Sequence, residues 1–225
     1  MTEDPSALAN FAGETRLFPM PNLVLFPHVV QGLHIFEPRY RQLMADTLAS
    51  DGLMSLVLLK PGWEDESDSP PALEAMACLA RVTWHECLPD GRYNLRLRGL
   101  SRVRLMEEVT TDKLYRLSRA ELLPDIVPAE LPRLTELRHK LSAAVLARFP
   151  QTGQAHQQLL ELFQGDTPLG QVCDVLSYAL PLGVEVKQAL LGETQVDLRA
   201  ELMIHSMHIP PGQAERKFPP DFSMN

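Results

Sequence analysis

Seven histidines and three cysteines are the first side chains to weigh for metal ligation or nucleophilic attack. His205 and His208 stand three apart near the end of a helical pattern, which would set two imidazoles on one face. No third ligand follows in sequence, and a zinc site draws on at least three protein ligands. Trp84-His85-Glu86-Cys87 carries a base and a thiol two apart on one side of a strand pattern, without a separate group to orient the base. Cys78, Cys87 and Cys173 match neither a disulfide framework nor a zinc knuckle, and they read as buried thiols packing as small hydrophobes. His139 and His156 read as surface residues on helices. No Gly-x-x-x-x-Gly-Lys-Ser/Thr run is present to wrap a triphosphate in backbone N–H groups. The expectation is no catalytic residue, no metal and no cofactor.

Recognition chemistry has better candidates. Trp63 sits in an acidic, proline-bounded loop from Lys60 to Pro71, where the ring would anchor a partner and the carboxylates would select basic segments; a merely solvated loop is the plainer reading. His28, in a loop, and His34, at an outward strand position, would line a groove. Arg92, Arg96, Arg98, Arg102 and Arg104 are expected on the outer face of neighbouring strands, either as a solubilising face paired with nearby acids or as a contact for RNA. One tyrosine accompanies that band, whereas single-strand binding uses several stacking aromatics. Lys187 reads as a helix-surface or ion-paired lysine rather than a base.

The elements that must position these residues follow from hydropathy patterning. With 225 residues, 45% hydrophobic and 22% charged, the chain has room for one large core or two small ones. Apolar runs fall short of a membrane span, and the amino terminus lacks the basic and apolar regions of a signal peptide, so the cytoplasm is the expected setting without membrane contact. The net charge of -8 argues against a dedicated nucleic-acid binder. From Thr15 to Leu123 the signals are short, mainly antiparallel strands. Pro27 interrupts Val24-Leu25-Phe26 where a ladder bond must be given up, and Leu33 and Ile35 alternate with His34. Pro38 then opens a helix to about Ala49, closed by Asp51-Gly52, with Met54 to Leu59 as the next strand. Pro89-Asp90-Gly91 is a hairpin turn, Tyr93 to Leu105 alternates in period two, and Leu114 to Leu122 supplies another strand. Past Pro124-Asp125-Ile126-Val127-Pro128 the period becomes helical: Leu131, Leu134, Leu137, Leu141 and Val145 form one stripe. Further helices are expected from Gly153, from an Asp166-Thr167-Pro168 cap, over Glu185 to Leu191 with Gly192 capping, and from a Thr194/Asp197 capping box to His208.

Four separated motifs carry a family resemblance. They are Leu23-Val24-Leu25-Phe26-Pro27 through Glu37-Pro38-Arg39-Tyr40, Asp90-Gly91-Arg92-Tyr93, Arg98-Gly99-Leu100-Ser101-Arg102, and Leu180-Pro181-Leu182-Gly183 followed by Lys187-Gln188-Ala189-Leu190-Leu191. In this order, over about Thr15 to His208, the chain resembles the amino-terminal, substrate-binding domain of the Lon proteases. The resemblance implies an α+β fold: a PUA-like β-pseudobarrel with one inserted helix, then a C-terminal helical bundle. The expected layout is a disordered 1–14, the barrel at 15–123, a linker at 124–129, the bundle at 130–209 and a disordered tail at 210–225. It further implies a stand-alone, non-enzymatic module that recognises unfolded or partly folded polypeptides, an adaptor in protein quality control with a full-length protease as a second partner. The docking place would be the barrel surface or the crevice between barrel and helices. An RNA-binding module using the arginine band is the alternative. The chain departs from the family's pattern at His28, where glycine is usual, and at Gln31-Gly32, where Pro-Leu is favoured.

Overall fold

The computed structural model of the chain describes residues 8–9, 11–64, 70–149 and 152–208. Asp65, Glu66 and Asp68 of the acidic loop and the tail 210–225 lie outside the described residues, as does most of 1–14. The chain forms two compact units that divide after Pro124.

The first unit is a six-stranded sheet with one helix: β1 (Glu14–Met20), β2 (Val30–Ile35), α1 (Pro38–Leu48), β3 (Leu53–Leu59), β4 (Leu73–Cys87), β5 (Tyr93–Val109) and β6 (Leu117–Leu123). Strand order is β2-β5-β4-β3-β1-β6, and a further β5–β6 pairing closes five of the strands into a ring. Closure depends on the length of β5. Its 17 residues serve β2 with their first half and β6 with their second, with β4 alongside from Tyr93 to Arg104. Closing the ring removes most of the open edges a flat sheet would present. All pairings are antiparallel except β1–β3, which the β2–α1 excursion connects as a parallel pair. Leu17, Leu53, Val57, Ala77, Leu79, Val103 and Ala120 meet inside the ring. Each large member contributes about 1.5–3 kcal/mol over leaving it in water. Leu8 and Phe11, in the stretch expected to be disordered, pack against this cluster. Their apolar side chains gain from burial there, which corrects that expectation for the residues nearest β1.

Pro38 stands in the first turn of α1, where no N–H is required, and Tyr40, Leu43, Met44 and Thr47 are its buried face. Leu23, Val24, Leu25 and Phe26 are all buried but join no strand, in contrast to the strand their composition suggests. They cover the sheet instead. Gly99 is where they come nearest: a Cβ there would run into the Phe26 carbonyl and stand 3.0 Å from the Cys78 sulfur. The backbone of this segment is tied to the same glycine, His28 N–H donating to Gly99 O and Gly99 N–H to Val29 O, both at 2.9 Å.

This cover explains a correction. Arg102 is 2% exposed, not part of an outer arginine face. It pairs across the sheet with Cys78, also fully buried, on the face that the 23–26 segment overlies. Alternation along β5 cannot reveal that its second face is roofed. Cys87 is likewise corrected: it is exposed, since it lies at the far end of β4, beyond the core. The last strand begins at Leu117 rather than Leu114, which is 63% exposed.

The second unit is helical: α2 (Leu131–Leu146), α3 (Gln154–Gln164), α4 (Leu169–Ala179), α5 (Val184–Gly192) and α6 (Val196–His208). The α2 stripe buries Leu137, Leu141 and Val145. Leu169, Val172, Cys173 and Leu176 do the same for α4. Helix ends are satisfied by side chains from elsewhere in this unit. Arg138 reaches the Phe163 carbonyl at 3.0 Å near the end of α3, Lys187 the Tyr178 carbonyl at 2.9 Å near the end of α4, and Arg148 the Met207 carbonyl near the end of α6. Cations there both occupy orphan acceptors and oppose the negative end of the helix dipole. Lys187 is thus a structural donor, with burial lowering its pKa. The expected caps differ: Pro168 holds the N-cap of α4 without a side-chain bond, Glu193 rather than Gly192 follows α5 as its C-cap, and its carboxylate accepts from Gln195 N–H at 2.7 Å just before α6. Asp197 turns instead to Arg133, at 3.0 Å.

Arg199 anchors the unit. Its guanidinium is fully buried and donates to both carboxylate oxygens of Asp125, to Asp174 Oδ1 at 3.1 Å, and to the carbonyls of Gly170 and Thr194. A buried arginine is tolerated only with such complete pairing. The Ile126 backbone bridges to Gln195, so residues 125 and 126 are held by α6.

Candidate functional site

β2 pairs only with β5 among the described residues, so one of its edges is open. Register sets what surrounds that edge. Val30 lies opposite Arg98, Gly32 opposite Arg96 and His34 opposite Asn94. On the far side of β5, Arg81 faces Arg98, Trp84 faces Arg96 and Glu86 faces Asn94. The result is three cross-strand rows on one face: Val30–Arg98–Arg81, Gly32–Arg96–Trp84 and His34–Asn94–Glu86.

The last row is a chain of hydrogen bonds. Arg92 Nη1 lies 3.5 Å from His34 Nε2, His34 Nδ1 is 2.7 Å from Asn94 Oδ1, and Asn94 Nδ2 donates to Glu86 Oε2 at 3.2 Å. A guanidinium only donates, so Nε2 accepts and Nδ1 carries the hydrogen toward Asn94. The His34 ring also stacks on Phe36 with centroids 6.3 Å apart. In the middle row the Arg96 guanidinium lies over the Trp84 ring, 5.5 Å from its centroid, an arrangement that restrains the arginine while leaving its edge free to donate. Val30, Phe36 and Trp84 are each about half exposed, at 50%, 49% and 46%.

Of the residues singled out in the sequence, His34, Arg92, Arg96 and Arg98 are brought together here, and His28 enters the same strip through its backbone bond to Gly99. Arg104 lies on the other half of β5, paired with Glu121 at 3.2 Å. Trp63 is half-buried in the turn after β3, away from the β2–β5 pairing. Trp84 joins this face through a local irregularity of β4. A β-bulge between Val82 and Trp84 drops Thr83 from the register and moves Trp84 from opposite Leu95, which is buried, to opposite Arg96, which is exposed.

Among the described residues no hydrogen bond joins Cys87 to His85, and no three His, Cys, Asp or Glu side chains converge as metal ligands. What the face offers is an open strand edge, half-exposed apolar groups and fixed arginines.

Residues 14–208 match the family model described as the substrate-binding domain of ATP-dependent protease La (LON). The chain belongs to the Lon substrate-binding domain family. The Lon protease of Xanthomonas oryzae pv. oryzae is 26% identical over 191 residues, covering 84% of this chain and 22% of that protein. Lon protease 2 of Myxococcus xanthus is 27% identical over 191 residues, with the same coverage. This chain therefore spans about a fifth of the length of these Lon relatives. The N-terminal domain of Mycobacterium avium complex Lon protease superposes with a TM-score of 0.69 at 14% identity, covering 87% of this chain and all of that one, a likeness of fold alone. A Lon N-terminal domain protein from Xanthomonas campestris gives a TM-score of 0.60 at 25% identity over 85% of this chain and 97% of its own. The α+β fold is thus that of Lon N-terminal domains. Among the described residues no helix is long and apolar enough to cross a membrane.

Proposed function

We propose that this Lon-type domain is a non-enzymatic polypeptide-recognition module acting in the cytoplasm, an adaptor that presents unfolded or partly folded chains for quality control. The match of residues 14–208 to a substrate-binding family carries this reading. The open β2 edge beside Val30, Phe36 and Trp84 supports it: main-chain bonds along an edge tolerate varied sequences, and the adjoining side chains supply preference. Placing the site at β2 rather than at the Trp63 loop is part of the proposal.

Anisotropy of a labelled, permanently unfolded polypeptide, titrated with the purified protein beside labelled single-stranded RNA, tests it. Saturable binding of the polypeptide with no RNA binding is the expected result. Binding of RNA alone, or of neither probe, overturns the proposal.

A further inference from the structure

Many arginines of the first unit are neutralised by a carboxylate. Arg16 pairs with Asp51, Arg92 with Asp90, Arg104 with Glu121, Arg116 with Glu108 and Arg119 with Glu107. Arg96 and Arg98 depart from this: among the described residues neither guanidinium meets a carboxylate, and Arg96 rests only on the Trp84 ring. These two cations are two apart on β5, so both point to the same face of the sheet. Each stands directly across from a residue of the open strand β2, Gly32 for Arg96 and Val30 for Arg98.

Gly32 determines what the pair can reach. A strand added to β2 would lie two strand spacings from β5, about 9–10 Å. A side chain on the intervening strand would block a guanidinium from crossing that distance. At Gly32 none does, and a Cβ built there meets nothing within 4 Å, so the space over the strand is open. A guanidinium extends about 6–7 Å from its Cα, and a facing carboxylate supplies the remainder at charge-assisted hydrogen-bond distance. The Trp84 ring beneath Arg96 lowers the conformational cost of holding it there.

We propose that the β2 edge selects extended polypeptide segments carrying acidic side chains at alternate positions among apolar ones, with one carboxylate passing over Gly32 to Arg96 while Arg98, behind Val30, adds to the positive field along the same face. This inference rests on the polypeptide-recognition reading and names the class of segment recognised. The apolar positions of the segment would fall on the opposite face, on the side of Leu33. Charge complementarity over an edge fixes register as well as preference, since a one-residue slip turns the carboxylates to the opposite face.

Three labelled probes separate the possibilities on the full chain: the unfolded polypeptide used above, a short extended peptide alternating valine with glutamate, and its valine–lysine counterpart. Single-stranded RNA is run beside them. The glutamate peptide is expected to bind about tenfold or more tightly than the lysine peptide, with the preference shrinking as salt rises. Arg96→Glu with Arg98→Glu should reverse the order of the two peptides. Both positions are on the exposed or half-exposed sheet face, and far-UV circular dichroism checks that the fold is kept. Gly32→Val leaves every charge in place, fits the open space and favours a strand, yet closes the passage; it should also weaken the glutamate peptide about tenfold. Equal binding of the two peptides alongside good binding of the unfolded polypeptide overturns the acidic selection and leaves polypeptide recognition standing. Binding of no peptide and no polypeptide overturns both, and RNA binding abolished by the arginine reversals assigns the face to nucleic acid instead.

Discussion

His28 has a φ of +67°, the one non-glycine residue with a positive φ among those described. The left-handed conformation costs an L side chain about 1–2 kcal/mol, which accounts for the glycine usual at this point of the family pattern. The loop keeps its shape with histidine because its backbone is held on both sides by Gly99. A β-branched side chain tolerates this conformation least. His28→Val should therefore be less stable than His28→Gly by about 1–2 kcal/mol in urea unfolding. A second residue-scale expectation concerns pH. Tyr115 OH donates to Asp46 Oδ2 at 2.8 Å and Lys113 Nζ lies 3.1 Å from the same oxygen, so Asp46 is held below the usual carboxylate range, the tyrosine bond first among the causes. Burial, then the Asp46 bond and charge, push Tyr115 up to about 12. A depressed carboxylate stabilises the fold above its unfolded pKa and loses that contribution as acid protonates it. A raised phenol stabilises below its unfolded pKa and loses the contribution as pH climbs toward about 12. Tyr115→Phe should thus be less stable than the parent at neutral pH, with the gap narrowing in acid and again in alkali. Urea midpoints measured across pH would show a constant gap if the pair contributes nothing.

At the scale of elements, α6 is held by one side chain that periodicity does not single out. Arg199 joins the start of the second unit, α4 and the turn before α6 through Asp125, Asp174 and the carbonyls of Gly170, Glu193 and Thr194. Replacing it would strand the Asp174 carboxylate, itself 0% exposed, without its guanidinium. Arg199→Met should cost about 3–5 kcal/mol, and adding Asp174→Asn should recover part of it, because the loss comes mainly from the uncompensated buried charge. Chemical unfolding followed by far-UV circular dichroism reads both; a loss under about 1 kcal/mol would show that the cluster is not a lock. Strands carry a comparable lesson. The period-two alternation of Tyr93 to Leu105 placed Leu95, Leu97 and Val103 inside, and all three are buried. It misplaced Arg102, which a covering segment outside every strand buries, and gave no sign of the bulge in β4 that turns Trp84 outward.

Across the whole molecule, both tryptophans belong to the first unit, Trp63 in the turn after β3 and Trp84 on the β2–β5 face. They are separate reporters of the two docking places. In Trp63→Phe, titration with an unfolded polypeptide should shift the remaining emission, while in Trp84→Phe it should leave the emission nearly unchanged. The opposite pattern would return the site to the Trp63 loop. The residue order by itself determined the family, the change from strand to helix period near residue 124, the inserted helix behind Pro38 and most inward-facing positions. These depend on local periodicity and on proline and glycine, whose backbone limits act within a few residues. Only the tertiary structure decided that β5 closes the ring while β2 stays open, that Arg102 is roofed and Arg96 is not, and that Gly32 stands between Arg96 and the free edge. Those outcomes rest on pairing and register between segments tens of residues apart, where one bulge reverses which side chain meets water.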